Sequence, residues 1–313
     1  MEDLLRQLDA LRLTFELIKP SPIIEENIRR ESLLKSALYS AKIEGNQLSY
    51  EEVATGLNDK TRAKLEVFNL LKAHHFVYSK KSPKKISLAL IKKLHQITMD
   101  RLLAAPGKFR HEAGAIFNQA GIAIYLSPPP DEIISRLKQL IQQVNITADP
   151  IPVMAVKIHF GFEKIHPFID GNGRVGRLLT AVVMNQGGYG FKRLVSIEEM
   201  VNEQKDEYYQ ALDETKNTRP LTEFLLRLYV EQGKKILTRL TQPASQTQLD
   251  LPLRRREILN VVRDHPYASF DFISRRFFNI NLKTLHYDLK KLQEQNLITK
   301  VGATRGAVYQ IKN

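Results

Sequence analysis

The chain of 313 residues contains no cysteine, which excludes disulfides, thiolate metal centres and cysteine nucleophiles together. No stretch approaches the ~18 consecutive apolar residues of a membrane-spanning helix. The opening MEDLLRQLDALRL carries acids first and no unbroken apolar core, unlike a secretion signal. No G-x-x-x-x-G-K-[ST] phosphate loop occurs and no internal repeat is present. These absences give the expectation of a cytoplasmic protein without membrane contact. Acidic residues are also in deficit, 34 Asp and Glu against 47 Lys and Arg, for a net charge of +13. An excess of that size predicts an anionic partner.

What is present reads mainly as helix. Residues 25–47 carry Ile28, Leu33, Leu34, Ala37, Leu38, Ala41 and Ile43 at close to helical period, with Gly45-Asn46 as a stop. Residues 65–78, 87–103, 130–144, 151–165 and 177–188 repeat the pattern, and 207–237 supply two more helices. Residues 113–130 differ. Two β-prone runs, Ala115–Phe117 and 122–126, flank Asn-Gln-Ala-Gly and lead into three prolines, a hairpin signal. Residues 241–252 are polar, contain proline and lack period, as a linker does. The resulting boundaries are an N-terminal helical region 1–60, a core 61–240, the linker 241–252 and a C-terminal unit 253–313.

The chemistry concentrates in HPFIDGNGRVGR, residues 166–177. Gly171, Gly173 and Gly176 match the G-x-G-x-x-G dinucleotide fingerprint, and Glu198 even sits near the expected acidic offset. That reading requires a strand running into the first glycine. The preceding segment has helical period instead and ends at His166-Pro167, where proline cannot join a strand ladder. A phosphate site remains. Small residues at 171–173 admit backbone N–H groups close to an anion, and a helix starting near Arg174 adds its unpaired donors. Arg174 and Arg177 share a helix face and can clamp one polyphosphate. Asp170 is a hard oxygen ligand suited to Mg²⁺, and His166 is placed as a general base.

The same twelve residues fit H-P-F-x-[DE]-G-N-G-R-x-x-R throughout and so resemble the active-site motif of the Fic (filamentation induced by cAMP) family of protein adenylyltransferases. Residues 106–130 resemble the family's hairpin flap, and 207–225 its tyrosine pair and closing helix, so that the likeness covers roughly 25–237. It implies an all-helical Fic core with a small β-hairpin flap, and transfer of AMP from ATP to a hydroxyl of a target protein or of the chain itself. By position it implies His166 as general base and Asp170 as the Mg²⁺ ligand. Gly171, Asn172 and Gly173 would be the anion hole, with Arg174, Val175, Gly176 and Arg177 completing the ATP-binding stretch. Arg177 would hold the γ-phosphate, Phe168 would anchor the core, and Tyr208 and Tyr209 would pack by adenine.

Upstream, SAKIEG at 40–45 is by composition one turn of an amphipathic helix with a glycine stop, in which Glu44 reads as a solvated residue near a helix end. It also matches [ST]-x-x-x-E-[GN], the inhibitory motif of the family it resembles. Ser40 and Glu44 lie four apart on one face. The implied role is a salt bridge from Glu44 to Arg177 that keeps ATP from binding productively, and in relatives the glutamate also supports AMP removal.

Residues 254–313 hold 12 Lys and Arg and 5 Asp and Glu. Three helical runs followed by two β-prone runs around Thr304 and Arg305 resemble a winged helix-turn-helix domain. Lys283, Thr284, His286 and Tyr287 stand at the exposed start of its third helix, for docking to DNA or to protein. The overall expectation is a mainly α adenylyltransferase, with a homodimer admitted. Two alternatives stand beside it: a nucleotide-sensing DNA-binding regulator, and a Fic transferase with another nucleotide donor.

Overall fold

Two apolar helices, Ile151–Ile165 and Asn172–Gln186, lie side by side at the centre of the molecule, and the turn 166–171 between them carries the motif. The computed structural model describes all residues except 55–60, 118–122, 147, 214–216, 242–250, 278–279, 303–305 and 313. The fold is mainly helical. In chain order α1 (Glu2–Leu17), α2 (Pro22–Ile43), α3 (Tyr50–Ala54), α4 (Arg62–Val77) and α5 (Leu88–Thr98) precede a hairpin of β1 (Ala115–Phe117) and β2 (Ala123–Leu126). Then come α6 (Ile133–Ile146), the central pair α7 and α8, α9 (Glu198–Glu203), α10 (Lys205–Asp213) and α11 (Arg219–Thr241). The remainder is α12 (Leu253–Asp264), β3 (Ala268–Ser269), α13 (Phe270–Arg276), α14 (Leu282–Glu294), β4 (Ile298–Val301) and β5 (Val308–Ile311).

Local chemistry sets these ends. Proline opens α2 at its first turn, where its missing N–H is harmless. Ser87, Ser269 and Asn281 cap α5, α13 and α14 through side-chain oxygens. The helix expected over 87–103 stops at Thr98. Met99 and Leu102 turn inward to pack with Leu65, Arg101 takes a positive φ, and Asn69 binds the Asp100 carbonyl at 2.7 Å. Tertiary capture ends that helix although its period runs on. The helix expected to start near Arg174 begins at Asn172.

One core joins α1, α2 and α4 through α8, with Leu38, Leu70, Leu94, Phe162 and Leu179 fully enclosed. A second packs the far side of α7, through Val156 and Phe160, against α9, α10 and α11. α2 therefore runs between α4, α9 and the centre, its last turn reaching α8. β1 and β2 pair antiparallel, Ala115 opposite Leu126; the turn residues 118–121 and Ile122 lie outside the described residues. The C-terminal unit has its own core around Ile258, Leu285 and Leu289 and an antiparallel sheet in the order β3-β5-β4. Buried Asp288 pairs there with Arg254 and Arg255. The unit is seated on the N-terminal region, where His265 stacks on Tyr50 and α12 meets α2. Most of the expected linker, 242–250, and Thr304 and Arg305 lie outside the described residues. Among the described residues no helix is long and apolar enough to cross a membrane.

Phe168 is the hub under the motif turn. It is fully buried and touches the rings of His95, Phe109 and Phe162. Phe168→Ala is expected to lower unfolding free energy by about 3–5 kcal/mol, measured by urea titration.

Candidate active site

The motif turn is held by its own backbone groups and by residues distant in sequence. α7 ends at His166, which takes the left-handed conformation at φ 48° and ψ 59°. Arg110, buried, donates to the His166 carbonyl at 2.8 Å, to Glu112 O at 2.7 Å and to Pro128 O at 2.6 Å. One guanidinium thus ties the histidine to both feet of the hairpin. His95 stacks on Phe168 with ring centroids 3.7 Å apart. Its Nδ1 accepts from Gly107 N–H at 2.7 Å, which leaves Nε2 to donate to the Asp170 carbonyl at 3.0 Å. Burial pushes the His95 pKa down to about 4, so this neutral tautomer persists at ordinary pH.

Asn172 uses its side chain inward. Its oxygen accepts from Phe168 N–H at 3.0 Å and its amide donates to Phe168 O at 2.8 Å, closing the turn. Gly171 sits at φ +84°, where a Cβ would also lie 2.7 Å from Met99 Sδ; no other residue type satisfies both demands. Its N–H is taken by Asp170 Oδ1 at 2.6 Å. The first N–H groups of α8, through Arg174, have no partner within the helix and form the donor end of the site. Val175 and Gly176 are turned away from it. Val175 is fully buried in the core, and Gly176 packs against Glu163.

Arg174 is nearly enclosed and bonds Asp170 Oδ1 at 2.7 Å. Asp170 itself is 41% exposed, with Arg62 at 4.0 Å from Oδ2. Among the described residues no three His, Asp or Glu side chains converge as protein ligands for a metal. One accessible carboxylate fits Mg²⁺ in the manner usual at nucleotide sites, where waters and phosphate oxygens complete the shell.

Arg177 is a buried charge held by α2. Its side chain is 7% exposed. Nε donates to Ser40 Oγ at 2.9 Å, and one terminal nitrogen donates to Ser40 O at 2.8 Å and to Glu44 Oε1 at 2.9 Å. Burial works against its charge, but Glu44 more than offsets it and holds the guanidinium firmly protonated. The two sequence signals, 133 residues apart, meet in one ion pair. Gly173 makes room for it, because a Cβ there would stand 2.3 Å from Glu44 Oε1.

His166 is partly exposed. Burial, and then the positive charge of Arg110, keep its pKa below the ordinary histidine value. Its Nδ1 lies 4.0 Å from Glu163 Oε2. Glu163 is a buried carboxyl raised to about 8 by burial and by Glu44, with Arg177 opposing. The tyrosine pair divides. Tyr208 is 1% exposed, its hydroxyl 2.8 Å from His159 Nε2, so it offers no free face. Tyr209 is 37% exposed and reaches the Ile43 carbonyl at 3.4 Å, beside Glu44. Sequence reasoning missed His95, Arg110, His159 and Glu163 as parts of the site. Their positions in helices and loops carried no local signal beyond a buried polar residue.

With this geometry in hand, the relatives are informative. Residues 85–184 match the Fic/DOC family model. A Fido domain-containing protein of Dictyostelium discoideum is 33% identical over 120 residues, 36% of this chain and 74% of that one. Protein adenylyltransferase fic-1 of Caenorhabditis elegans is 27% identical over 203 residues, 59% of this chain and 38% of that one. The chain thus spans about two fifths of the length of that curated relative. The crystal structure of a Fic family protein from Desulfovibrio desulfuricans G20 superposes with a TM-score of 0.68 at 19% identity, covering 99% of this chain and 94% of that one. Motif, fold and relatives agree on a mainly helical protein of one family. The chain belongs to the Fic family.

Removing Glu44 leaves Arg177 hydrogen-bonded, among the described residues, to the two Ser40 oxygens. Glu44→Ala is expected to lower stability by about 1–2 kcal/mol, the penalty of an unpaired buried cation reduced by the partial exposure of Glu44. Urea unfolding in phosphate-free buffer, with and without excess ATP, measures it: nucleotide should recover most of the loss.

Proposed function

We propose that the chain is a protein adenylyltransferase that moves AMP from ATP to a side-chain hydroxyl of a target protein or of itself, and that Glu44 restrains it. The observation that carries this reading is the Glu44–Arg177 ion pair at 2.9 Å, built over a complete anion-binding turn. The restraint follows from charge. A γ-phosphate needs the guanidinium that Glu44 holds, and a carboxylate beside Gly173 repels that phosphate. Displacement of Glu44 frees Arg177 for ATP.

The chain's residues then have these tasks. The free N–H groups at the start of α8, with Arg174, hold the phosphates and stabilise developing charge. His166, neutral at neutral pH, takes the proton from the target hydroxyl as its oxygen bonds to the α-phosphorus. The bond from that phosphorus to the bridging oxygen breaks, and pyrophosphate leaves toward Arg177. Mg²⁺ bound through Asp170 and the phosphates would neutralise charge on the triphosphate. The exposed ring of Tyr209, rather than that of Tyr208, is placed to meet the base. The β1–β2 hairpin offers an edge for an extended target segment. Removal of AMP would call on Glu44 as well.

The C-terminal unit we read as a winged helix-turn-helix module. Its support is the helix order and the β3-β5-β4 sheet, together with a face of α14 that exposes Leu282, Lys283, His286, Tyr287 and Lys290. Duplex DNA is the partner that this basic, aromatic face fits. Fluorescence anisotropy against a labelled duplex should show affinity falling steeply with salt, each Lys→Ala change on α14 reducing the salt slope by about 1. Salt-independent binding would point to a protein partner.

Intact mass spectrometry after incubation with ATP and Mg²⁺ tests the enzyme reading. Glu44→Gly should gain AMP while the unsubstituted protein gains little, and Glu44→Gly with His166→Ala should gain none. The depressed His166 pKa sets the pH response: the rate holds at neutral pH and declines only below the ordinary histidine range of about 6.5. ATP binding without any mass gain by Glu44→Gly, in the presence of lysate targets, would overturn the transferase in favour of a nucleotide sensor.

A further inference from the structure

Behind Arg177, on the side away from Glu44, a buried polar chain runs through three residues that the motif does not contain. His159 on α7 is 1% exposed. Its Nδ1 lies 2.9 Å from Thr180 Oγ1 on α8, and its Nε2 lies 2.8 Å from the Tyr208 hydroxyl on α10. Thr180 Oγ1 in turn stands 3.2 Å from the Gly176 carbonyl. Tyr208 lies beside Arg177 in the lining of one cavity, where the guanidinium charge acts on its hydroxyl. All four side chains line one small cavity, together with Ile197, Leu225, Glu198 and Tyr229.

The direction of every bond in this chain is fixed by its ends. Arg177 can only donate and a backbone carbonyl can only accept. The Arg177 charge beside it therefore favours a Tyr208 oxygen with its lone pairs toward the guanidinium, and Tyr208 donates to His159 Nε2. His159 donates from Nδ1 to Thr180, and Thr180 donates to Gly176 O. This assignment requires a neutral imidazole with one N–H. Burial and the nearby Arg177 charge hold the His159 pKa down to about 3, in agreement. The loop closes on adjacent residues of α8. The chain thus runs from beside the guanidinium back to α8 by a path independent of α2.

We propose that His159, Tyr208 and Thr180 are positioning residues that hold Arg177 from behind, so that it keeps its aim at the terminal phosphate once Glu44 withdraws, and that they thereby set the preference for a nucleoside triphosphate over a diphosphate. The inference rests on the reading of Arg177 as the γ-phosphate ligand given above. Without the rear anchor, a long side chain released from Glu44 would sample several rotamers, and its ordering would have to be met by the ligand. The geometry also explains why Tyr208 is enclosed while its neighbour is exposed: it serves the arginine, and Tyr209 faces the site.

The test measures ATP and ADP binding by calorimetry in the Glu44→Gly background, alone and with Tyr208→Phe, His159→Phe or His159→Gln. The parent should prefer ATP. Tyr208→Phe and His159→Phe should each weaken ATP binding by about 10-fold, as for loss of one hydrogen bond to a charged group, and ADP by less than about twofold. His159→Gln, whose amide oxygen stands near the Nε2 position to accept from Tyr208, should keep most of the preference. Thermal melts accompany each variant, and Thr180→Val substitutes for any that does not fold, with the same outcomes deciding. Equal losses for ATP and ADP, or no loss for either, would overturn the positioning role. A parent that shows no preference for ATP would instead fault the γ-phosphate assignment of Arg177, and the inference would fall at that premise.

Discussion

A buried cation that cannot be deprotonated must be given acceptors, and in this protein the cation is Arg177. Its acceptors come from α2, as the Ser40 hydroxyl, the Ser40 carbonyl and the Glu44 carboxylate. The demand of one guanidinium therefore pins the last turn of α2 onto α8. The same demand makes the contact replaceable. A phosphate oxygen satisfies a guanidinium as well as a carboxylate does, so the tie between two helices and the phosphate ligand proposed above are one side chain. Few arrangements link folding and ligand access by so short a path.

The turn before α8 is prepared in the opposite manner, by leaving nothing to rearrange. Its carbonyls at 165, 166, 167, 168 and 170 all have partners, supplied by Arg110, Asn172 and His95. The donors at the head of α8 are left unpaired within the helix. Donors fixed before a charged ligand arrives need no reorganisation when charge develops. His95 and Arg110 contribute by holding backbone, and both are enclosed. The groups suited to touch a ligand, Asp170 and His166, remain partly open to solvent.

α2 has a second neighbour that bears on this contact. α12 of the C-terminal unit meets it, and His265 stacks on Tyr50 just after the turn that follows Glu44. A carboxylate in that junction, Asp264, is raised to about 6 by burial and by the nearby Glu31 of α2. The helix that ends at Glu44 is thus packed between α8, which follows the motif turn, and the C-terminal unit.

Much of this was legible in the residues. Helical period located α2, α4, α7 and α11 to within a few positions, because an apolar stripe must face a core wherever that core is. The twelve-residue motif identified the turn, and the four-residue spacing of Ser40 and Glu44 put both on one face. Period names a face and not the element it meets, and here the sequence was silent. The stop of α5 at Thr98 depends on Asn69 and on Leu65, the inward aim of the Asn172 side chain on Phe168. The split of Tyr208 from Tyr209 depends on His159, 49 residues away. Which residues could bind an anion was decided by composition and local spacing, since glycine, arginine and a helix start act within one turn. Which of them are free to do so was decided only by the fold, since a buried charge takes whatever acceptor packing brings to it.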